Sequence, residues 1–292
     1  MANALSIVYL NGSFQNIREA HISPLDRGFL FGDAVYEVIP VHGGKPLRLK
    51  EHLTRLDRSL SEIRMLNPHT PEEWGSIIYS LIEKNSGGNL GIYLQISRGT
   101  EPGRDHALPE GITPTVFGMA SQIANTDFQD TGVAAITLPD SRWARCDIKS
   151  TALLANILAR QQAVDAGAVD AILIRDGYVT EASVSSVIIV ESGVLVTRND
   201  GPELLPGTTR QLVLELATEA GLSYREEAVS EKRLRAADEL WLMSATRDVV
   251  PVTRLDGSPV GNGKPGPVWR RVKDLYTAYI DNAGLDTAEP EK

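Results

Sequence analysis

Cys146-Asp147-Ile148-Lys149-Ser150-Thr151 is the stretch whose reading decides the fold of this chain. Lysine is scarce, with 8 Lys against 21 Arg, so a lysine set between two strong local patterns stands out. Lys84 precedes Asn85 and a glycine pair, Lys264 lies in a Gly/Pro loop and Lys292 ends the sequence, and all three read as surface. Lys149 instead follows the strand-like apolar run at 133–138 and precedes a helical pattern at 152–160. The spacing predicts an amine where an extended segment gives way to a helix, with Ser150 or Thr151 as the cap. A helix's positive end and partial desolvation both favour an uncharged amine. Such an amine can attack a carbonyl to form a Schiff base. Taken alone, the local pattern favours an ordinary exposed lysine at a helix start, and the remainder of the chain has to decide.

At 292 residues the chain is long enough for two domains with their own cores. Its composition is that of a soluble globular protein. A net charge of −9 argues against nucleic acid or an anionic membrane as a partner. The single Cys146 forbids an internal disulfide and suits a reducing cytoplasm. No signal-peptide pattern opens the sequence and no apolar run reaches membrane-spanning length. His, Cys and acidic residues show no HExxH or CxxC spacing, so no protein-held metal is expected.

Along the chain, Ile7-Val8-Tyr9-Leu10 and the turn pair Asn11-Gly12 predict a hairpin. Residues 23–33 read as a glycine-punctuated loop. Residues 35–41 alternate as a strand, with Val35 and Glu37 on one face and Tyr36 and Val38 on the other. An amphipathic helix is predicted over 49–65, with Leu53, Leu56, Leu60 and Ile63 on its stripe and Arg55 between stripe positions. A second helix is predicted over 71–84 and a strand over 91–97. Apolar periodicity is lost over 121–130, which predicts an inter-domain linker between an N-terminal α/β domain (1–120) and a C-terminal domain (131–292). In the latter, strands are expected at 133–138, 170–174, 187–190, 194–197 and 239–244. Helices are expected from 152 to Gly167, after Arg210 to before Gly221, and over 267–279, with a frayed tail beyond.

Two further features carry chemistry. Pro206-Gly207-Thr208-Thr209 opens a predicted helix, where backbone N–H groups, the helix dipole and two hydroxyls suit a phosphate. Glu181 lies just past the Asp176-Gly177 turn among small residues (Ala182, Ser183, Val184, Ser185, Ser186) that would let a flat ring approach the backbone. Each feature alone is better explained as a capped helix and a solvated hairpin glutamate.

Together, however, the chain resembles the fold type IV pyridoxal-phosphate enzymes, the branched-chain and D-amino-acid aminotransferase family. The resemblance rests on FGDAVYEV (31–38), EHLTRLDRS (51–59), RCDIKS (145–150), VTEASVSSV (179–187), LLPGTTR (204–210) and SATRDVVPV (244–252). Six matches in order are specific where each alone is weak. The resemblance implies an α/β, two-domain fold with a smaller N-terminal α/β domain and a larger C-terminal domain built on a mixed, barrel-like sheet. It implies that Lys149 holds pyridoxal 5′-phosphate and shuttles a proton, and that Glu181 pairs with the pyridinium nitrogen. It implies a phosphate held by Arg55, Thr208, Thr209 and the loop at Ser244-Ala245-Thr246, with Leu205 against the ring. The family often has Thr at the Ala245 position, so any contact there comes from backbone; it usually has Gly and Asn where Ala182 and Ser186 stand.

Arg104-Asp105-His106 is similar to the Arg-x-His of D-amino-acid aminotransferases, which with the tyrosine of FGDxVYEV (here Tyr36) traps the substrate carboxylate. A guanidinium, an imidazole and a phenol are chemically apt for that task. The loop is one residue longer here, at Gly103. RWARCDIKS is also closer to the D-amino-acid branch. The expected activity is therefore ping-pong transfer of an amino group from a D-amino acid such as D-alanine to an oxo acid such as 2-oxoglutarate, by a homodimer, with small-molecule partners. The alternatives are a branched-chain L-aminotransferase, an aminodeoxychorismate lyase, an amine transaminase or a catalytically silent binding protein on the same scaffold.

Overall fold

The computed structural model describes residues 4–123 and 131–282. These form two compact units, one of residues 4–123 with Ile148–Ala152 and the other of residues 131–147 with 153–281. Sequence order places Lys149 in the second half of the chain, yet its five-residue segment belongs to the first unit. Of the expected linker, residues 124–130 lie outside the described residues, and 121–122 end a strand. The tail beyond 282, expected to fray, also lies outside them.

The first unit contains β1 (Ala4–Leu10), β2 (Ser13–Asn16), α1 (Arg27–Phe31), β3 (Ala34–His42), β4 (Lys45–Pro46), α2 (Leu49–Glu62), α3 (Pro71–Lys84), β5 (Leu90–Ser97) and β6 (Thr115–Gln122). Its six-stranded sheet runs β2-β1-β6-β5-β3-β4. Asn11 and Gly12, at φ 46° and 92°, make the primed turn that matches strand twist. The β3 alternation is as expected, with Val35, Glu37 and Ile39 buried and Tyr36 and Val38 half-buried. Leu53, Leu56 and Leu60 of α2 join Ile78 and Leu81 of α3 in one core over this face. Thr70 caps α3 reciprocally with Glu73, through Thr70 N–H to Oε2 at 2.8 Å and Glu73 N–H to Oγ1 at 3.3 Å. Within the stretch read as a loop, Asp26 caps the short α1 by accepting the Gly28 N–H at 2.8 Å.

The second unit contains β7 (Val133–Pro139), α4 (Leu154–Asp165), β8 (Asp170–Arg175), β9 (Tyr178–Ala182), β10 (Ser186–Glu191), β11 (Val194–Thr197), α5 (Thr208–Glu219), β12 (Tyr224–Glu226), α6 (Glu231–Ala236), β13 (Glu239–Ser244), β14 (Asp248–Leu255), β15 (Ser258–Pro259) and α7 (Pro267–Asn282). The strands form a mixed, curled sheet in the order β12-β11-β10-β13-β14-β7-β8-β9, with β15 on β14. β7 and β8 are parallel, as a helical crossover requires, and α4 supplies it. Asp176-Gly177 and Ser192-Gly193 all take positive φ at the tight turns of the β8–β9 and β10–β11 hairpins.

The expected helix start at Lys149 is corrected. α4 begins at Leu154, its N-cap is Leu153, and no side chain caps it. Ser150 and Thr151 are not caps. Ser150 bridges Val35, and the Thr151 N–H donates to the Ala34 carbonyl at 3.0 Å. No helix among the described residues is long and apolar enough to cross a membrane.

Candidate active site

In the first unit the Lys149 backbone is stitched to β3. The Tyr36 N–H donates to its carbonyl at 2.9 Å, and its own N–H donates to Ser59 Oγ at 3.3 Å. Ile148 anchors the segment in the core. The half-buried lysine then carries its Nζ to 4.3 Å from the centroid of the Tyr36 ring, a cation–π distance. Lys149 and Tyr36 are thus brought together, by strand pairing and without a helix end.

Tyr36 stacks on Tyr93 at 5.6 Å between centroids, and the Tyr93 hydroxyl donates to Gln95 Oε1 at 2.7 Å. Burial, with the neighbouring Tyr36, pushes the Tyr93 phenol up to about 12, so it stays a neutral donor.

Behind Tyr36, on the core face of β3, Glu37 has no exposed surface. Arg55 grips it with Nε to Oε1 at 2.7 Å and Nη2 to Oε2 at 2.8 Å, and His52 Nδ1 lies 2.9 Å from Oε2. Burial alone would raise the Glu37 carboxyl, but the charge and hydrogen bonds of Arg55, with those of His52, hold it well below the usual carboxylate range. Arg55, expected from sequence as a phosphate ligand, is therefore oriented by a buried carboxylate that sequence reasoning left unassigned. The signal was present: Glu37 is a charged residue on the core side of an alternating strand.

Arg104 and His106 lie on an exposed loop of the same unit. Both flank Phe31, the guanidinium 4.8 Å and the imidazole 5.1 Å from the ring centroid. Among the described residues, no hydrogen bond joins either to Tyr36.

In the second unit Glu181 is buried on β9. Its Oε1 receives Arg142 Nη1 and its Oε2 accepts the Leu205 N–H at 3.3 Å. Arg142 is tied in turn to both Asp140 oxygens at 2.9 Å and to the Glu203 carbonyl at 3.0 Å. Burial works against the charge on Arg142, but Asp140 and Glu181 overrule it and raise its pKa. Glu181 is thus a fixed carboxylate and not a solvated hairpin residue. Arg142 is the second residue that sequence reading missed; its signal was an arginine seven positions before Lys149, inside RWARCDIKS.

α5 opens as expected, with Gly207 as N-cap and no side chain capping it. The first-turn N–H groups of a helix have no intrahelical acceptors, and here the buried Thr208 and Thr209 stand beside them. A Cβ on Gly207 would meet Ser186 Oγ at 2.4 Å, so the hydroxyl at the start of β10 occupies the space a side chain at 207 would need. Ser244 and Ala245 are half-buried at the β13–β14 turn, where the Arg247 N–H donates to the Ser244 carbonyl at 3.2 Å.

These donor sets fit pyridoxal phosphate. An uncapped helix start with two buried hydroxyls and a glycine-limited wall suits a phosphate dianion. A carboxylate bound by an arginine suits a ring-nitrogen cation, and, in the first unit, an amine beside a phenol suits the aldehyde.

The family model "Amino-transferase class IV" matches residues 34–255, and the chain belongs to that family. It is 41% identical over 283 residues to a D-alanine aminotransferase of Bacillus licheniformis, covering 97% of this chain and 99% of that protein. It is 36% identical over 277 residues to a D-alanine aminotransferase of Staphylococcus haemolyticus, covering 94% and 98%. Among solved structures, a T.th. branched-chain amino acid aminotransferase with pyridoxamine 5′-phosphate matches with a TM-score of 0.87 at 27% identity, covering 94% of each chain. The protein is a fold type IV aminotransferase whose cofactor is pyridoxal 5′-phosphate.

Proposed function

We propose that this enzyme moves the amino group of a D-amino acid, D-alanine foremost, to a 2-oxo acid such as 2-oxoglutarate in two half-reactions. The observation that carries the reading is 41% identity to a D-alanine aminotransferase across nearly the full length of both proteins. The branched-chain aminotransferase structures are matched at 27–28% identity or lower, which supports the scaffold more than the substrate.

Pyridoxal phosphate, when bound, supplies the carbonyl that takes up the amino group and the electron sink that stabilises charge at the substrate's Cα. Lys149 Nζ would hold it, and would be the base that takes the proton from the substrate's Cα. Tyr36, beside that amine, assists in orienting it and the substrate. Glu181 would pair with the ring nitrogen, and Arg142 and the Leu205 N–H hold Glu181 in place. Thr208, Thr209 and the α5 N–H groups bind the phosphate, with Arg55, oriented by Glu37, and the backbone at Ser244 and Ala245. Leu205 packs against the ring. Arg104 and His106 take the substrate carboxylate together with Tyr36.

The enzyme works as a cytoplasmic homodimer with small-molecule substrates. An apolar row on α4, with Leu154, Ile157 and Leu158 each more than half exposed, supports a second copy as partner.

The test is a visible spectrum of the purified enzyme before and after D-alanine, with turnover of D-alanine and L-leucine against 2-oxoglutarate and Lys149→Ala as control. D-alanine should discharge the cofactor band in the wild type alone. Turnover of L-leucine with none of D-alanine would overturn the assignment.

A further inference from the structure

Arg27 is 3% exposed, although it sits in the glycine-punctuated stretch that sequence reads as a loop. Its Nε donates to Asp33 Oδ2 at 2.8 Å, and its Nη1 reaches Glu101 Oε1 and the Asp105 carbonyl, the latter at 2.7 Å. Its backbone N–H donates to the Gly99 carbonyl at 2.9 Å. Asp33 is itself pinned by Arg98, Nε to Oδ2 at 2.8 Å and Nη2 to Oδ1 at 3.0 Å. Arg27 therefore fixes the loop that carries Arg104 and His106 at three points: its backbone N–H holds the root at Gly99, and its buried guanidinium holds the Glu101 side chain and the Asp105 backbone.

Arg27 and Phe31 are four residues apart on α1 and so share a face. The Arg27 guanidinium stands 4.8 Å from the Phe31 ring centroid, as does that of Arg104, and the His106 ring lies at 5.1 Å. Two like charges over one ring repel. The acidic partners Asp33 and Glu101 offset the charge of Arg27 and leave that of Arg104 available. Arg104 and His106 are exposed, and this ring is a contact that both side chains share.

We propose that Phe31 and Arg27 are positioning residues for substrate recognition. Phe31 aims the Arg104 guanidinium and the His106 imidazole at an α-carboxylate, and Arg27 holds the backbone from which they project. The proposal rests on the reading that Arg104 and His106 bind that carboxylate. It adds that the selectivity of the enzyme for amino acids is set partly by a phenyl ring acting through Arg104 and His106.

The experiment measures steady-state kinetics of the holoenzyme with D-alanine, and inhibition by propionate, which is alanine without its amino group. The variants are Phe31→Leu, Phe31→Tyr, Arg27→Lys, Arg104→Gln and the double variant Phe31→Leu/Arg104→Gln, each with a thermal unfolding midpoint to verify folding. One exposed cation–π contact is a few-fold effect, so loss of the ring under the Arg104 guanidinium and beside the His106 imidazole should raise KM and the propionate Ki together by about five- to ten-fold. Turnover number should stay within two-fold, because binding common to ground and transition states is what is lost. Phe31→Tyr keeps the ring and should restore both constants; Arg27→Lys keeps the charge but not the fork and should move them as Phe31→Leu does. In the double variant, Phe31→Leu should add less to Arg104→Gln than it costs alone, because only His106 is left for the ring to aim. Additive effects, or a Phe31→Leu enzyme with wild-type constants while Arg104→Gln is impaired, would overturn the positioning role alone. An Arg104→Gln enzyme with wild-type KM and Ki would overturn the carboxylate reading and this proposal together.

Discussion

Glu37 and Arg55 are joined by two parallel hydrogen bonds, at 2.7 and 2.8 Å, where the carboxylate has no exposed surface. Breaking one side of such a pair strands the other charge in the core. Glu37→Ala or Arg55→Met should therefore lower stability by about 3–5 kcal/mol. The double variant Glu37→Met/Arg55→Met should recover most of that loss, because it leaves no unpaired charge. Urea unfolding of the apoenzyme measures this directly, and single variants as stable as the wild type would show that the pair does not hold α2 to β3.

His52 makes the stability of this core depend on pH. Burial holds its imidazole below the ordinary range against the pull of Glu37, with the charges of Arg55 and Lys149 adding to the depression. The unfolded chain therefore takes up the proton first. The stability that neutral His52 contributes is present above about pH 6.5 and is lost as pH falls through the folded value. Glu37 is depressed too, and its contribution, present above about pH 4.3, is lost only in stronger acid. The unfolding midpoint of the wild type should fall between about pH 6.5 and 5, before the carboxylates titrate. His52→Gln should flatten that limb; superimposable midpoint curves for the two proteins would exclude His52 as its source.

Much of this architecture is legible in the sequence, and the exceptions have physical causes. The turn pairs Asn11-Gly12 and Asp176-Gly177 announce their hairpins through local chemistry, and the structure contains them where they are expected. β14 escapes notice because Pro251 interrupts its pattern, β6 because Gly118 breaks its alternation, and β12 because its three residues are all exposed. Lys149 shows the limit most clearly. Its prominence is legible, but its setting is long-range pairing with β3, 113 residues earlier at Tyr36, and local propensity instead proposed a helix start. The partners of the site residues were hidden for the same reason. Arg142 reaches Glu181 across 39 positions, and Glu37 reaches Arg55 across 18.

Glu181 is held on one side by Arg142 and on the other by the Leu205 N–H. Glu181→Gln keeps the shape and the hydrogen bond from Leu205 but removes the charge. Its loss leaves Arg142 partly uncompensated and the ring nitrogen without an anion. The turnover number with D-alanine should drop by about a hundred-fold or more, the scale of removing one preorganised electrostatic partner. A blue or red shift of the cofactor band should accompany it, read by visible absorption. Wild-type turnover would rule out Glu181 as the ring-nitrogen partner.

Gly207 offers the most local test of the phosphate site. Its φ of −80° suits any residue, so backbone strain is not at issue. Space is: an added Cβ would meet Ser186 Oγ at 2.4 Å, and Ser186 is itself buried. Gly207→Ala must therefore push β10 and α5 apart or turn the serine hydroxyl out of place, at about 1–3 kcal/mol. Because the same backbone begins the phosphate-binding turn, cofactor affinity should fall as well, measurable as the pyridoxal phosphate concentration that restores half the absorbance to apoenzyme. The companion change Ser186→Ala removes the clashing oxygen and leaves Ser186 Cβ at 3.6 Å from the new methyl, an ordinary contact. Gly207→Ala/Ser186→Ala should thus regain both stability and affinity. If the double variant is no better than Gly207→Ala alone, the requirement for glycine lies at the phosphate and not at the serine wall.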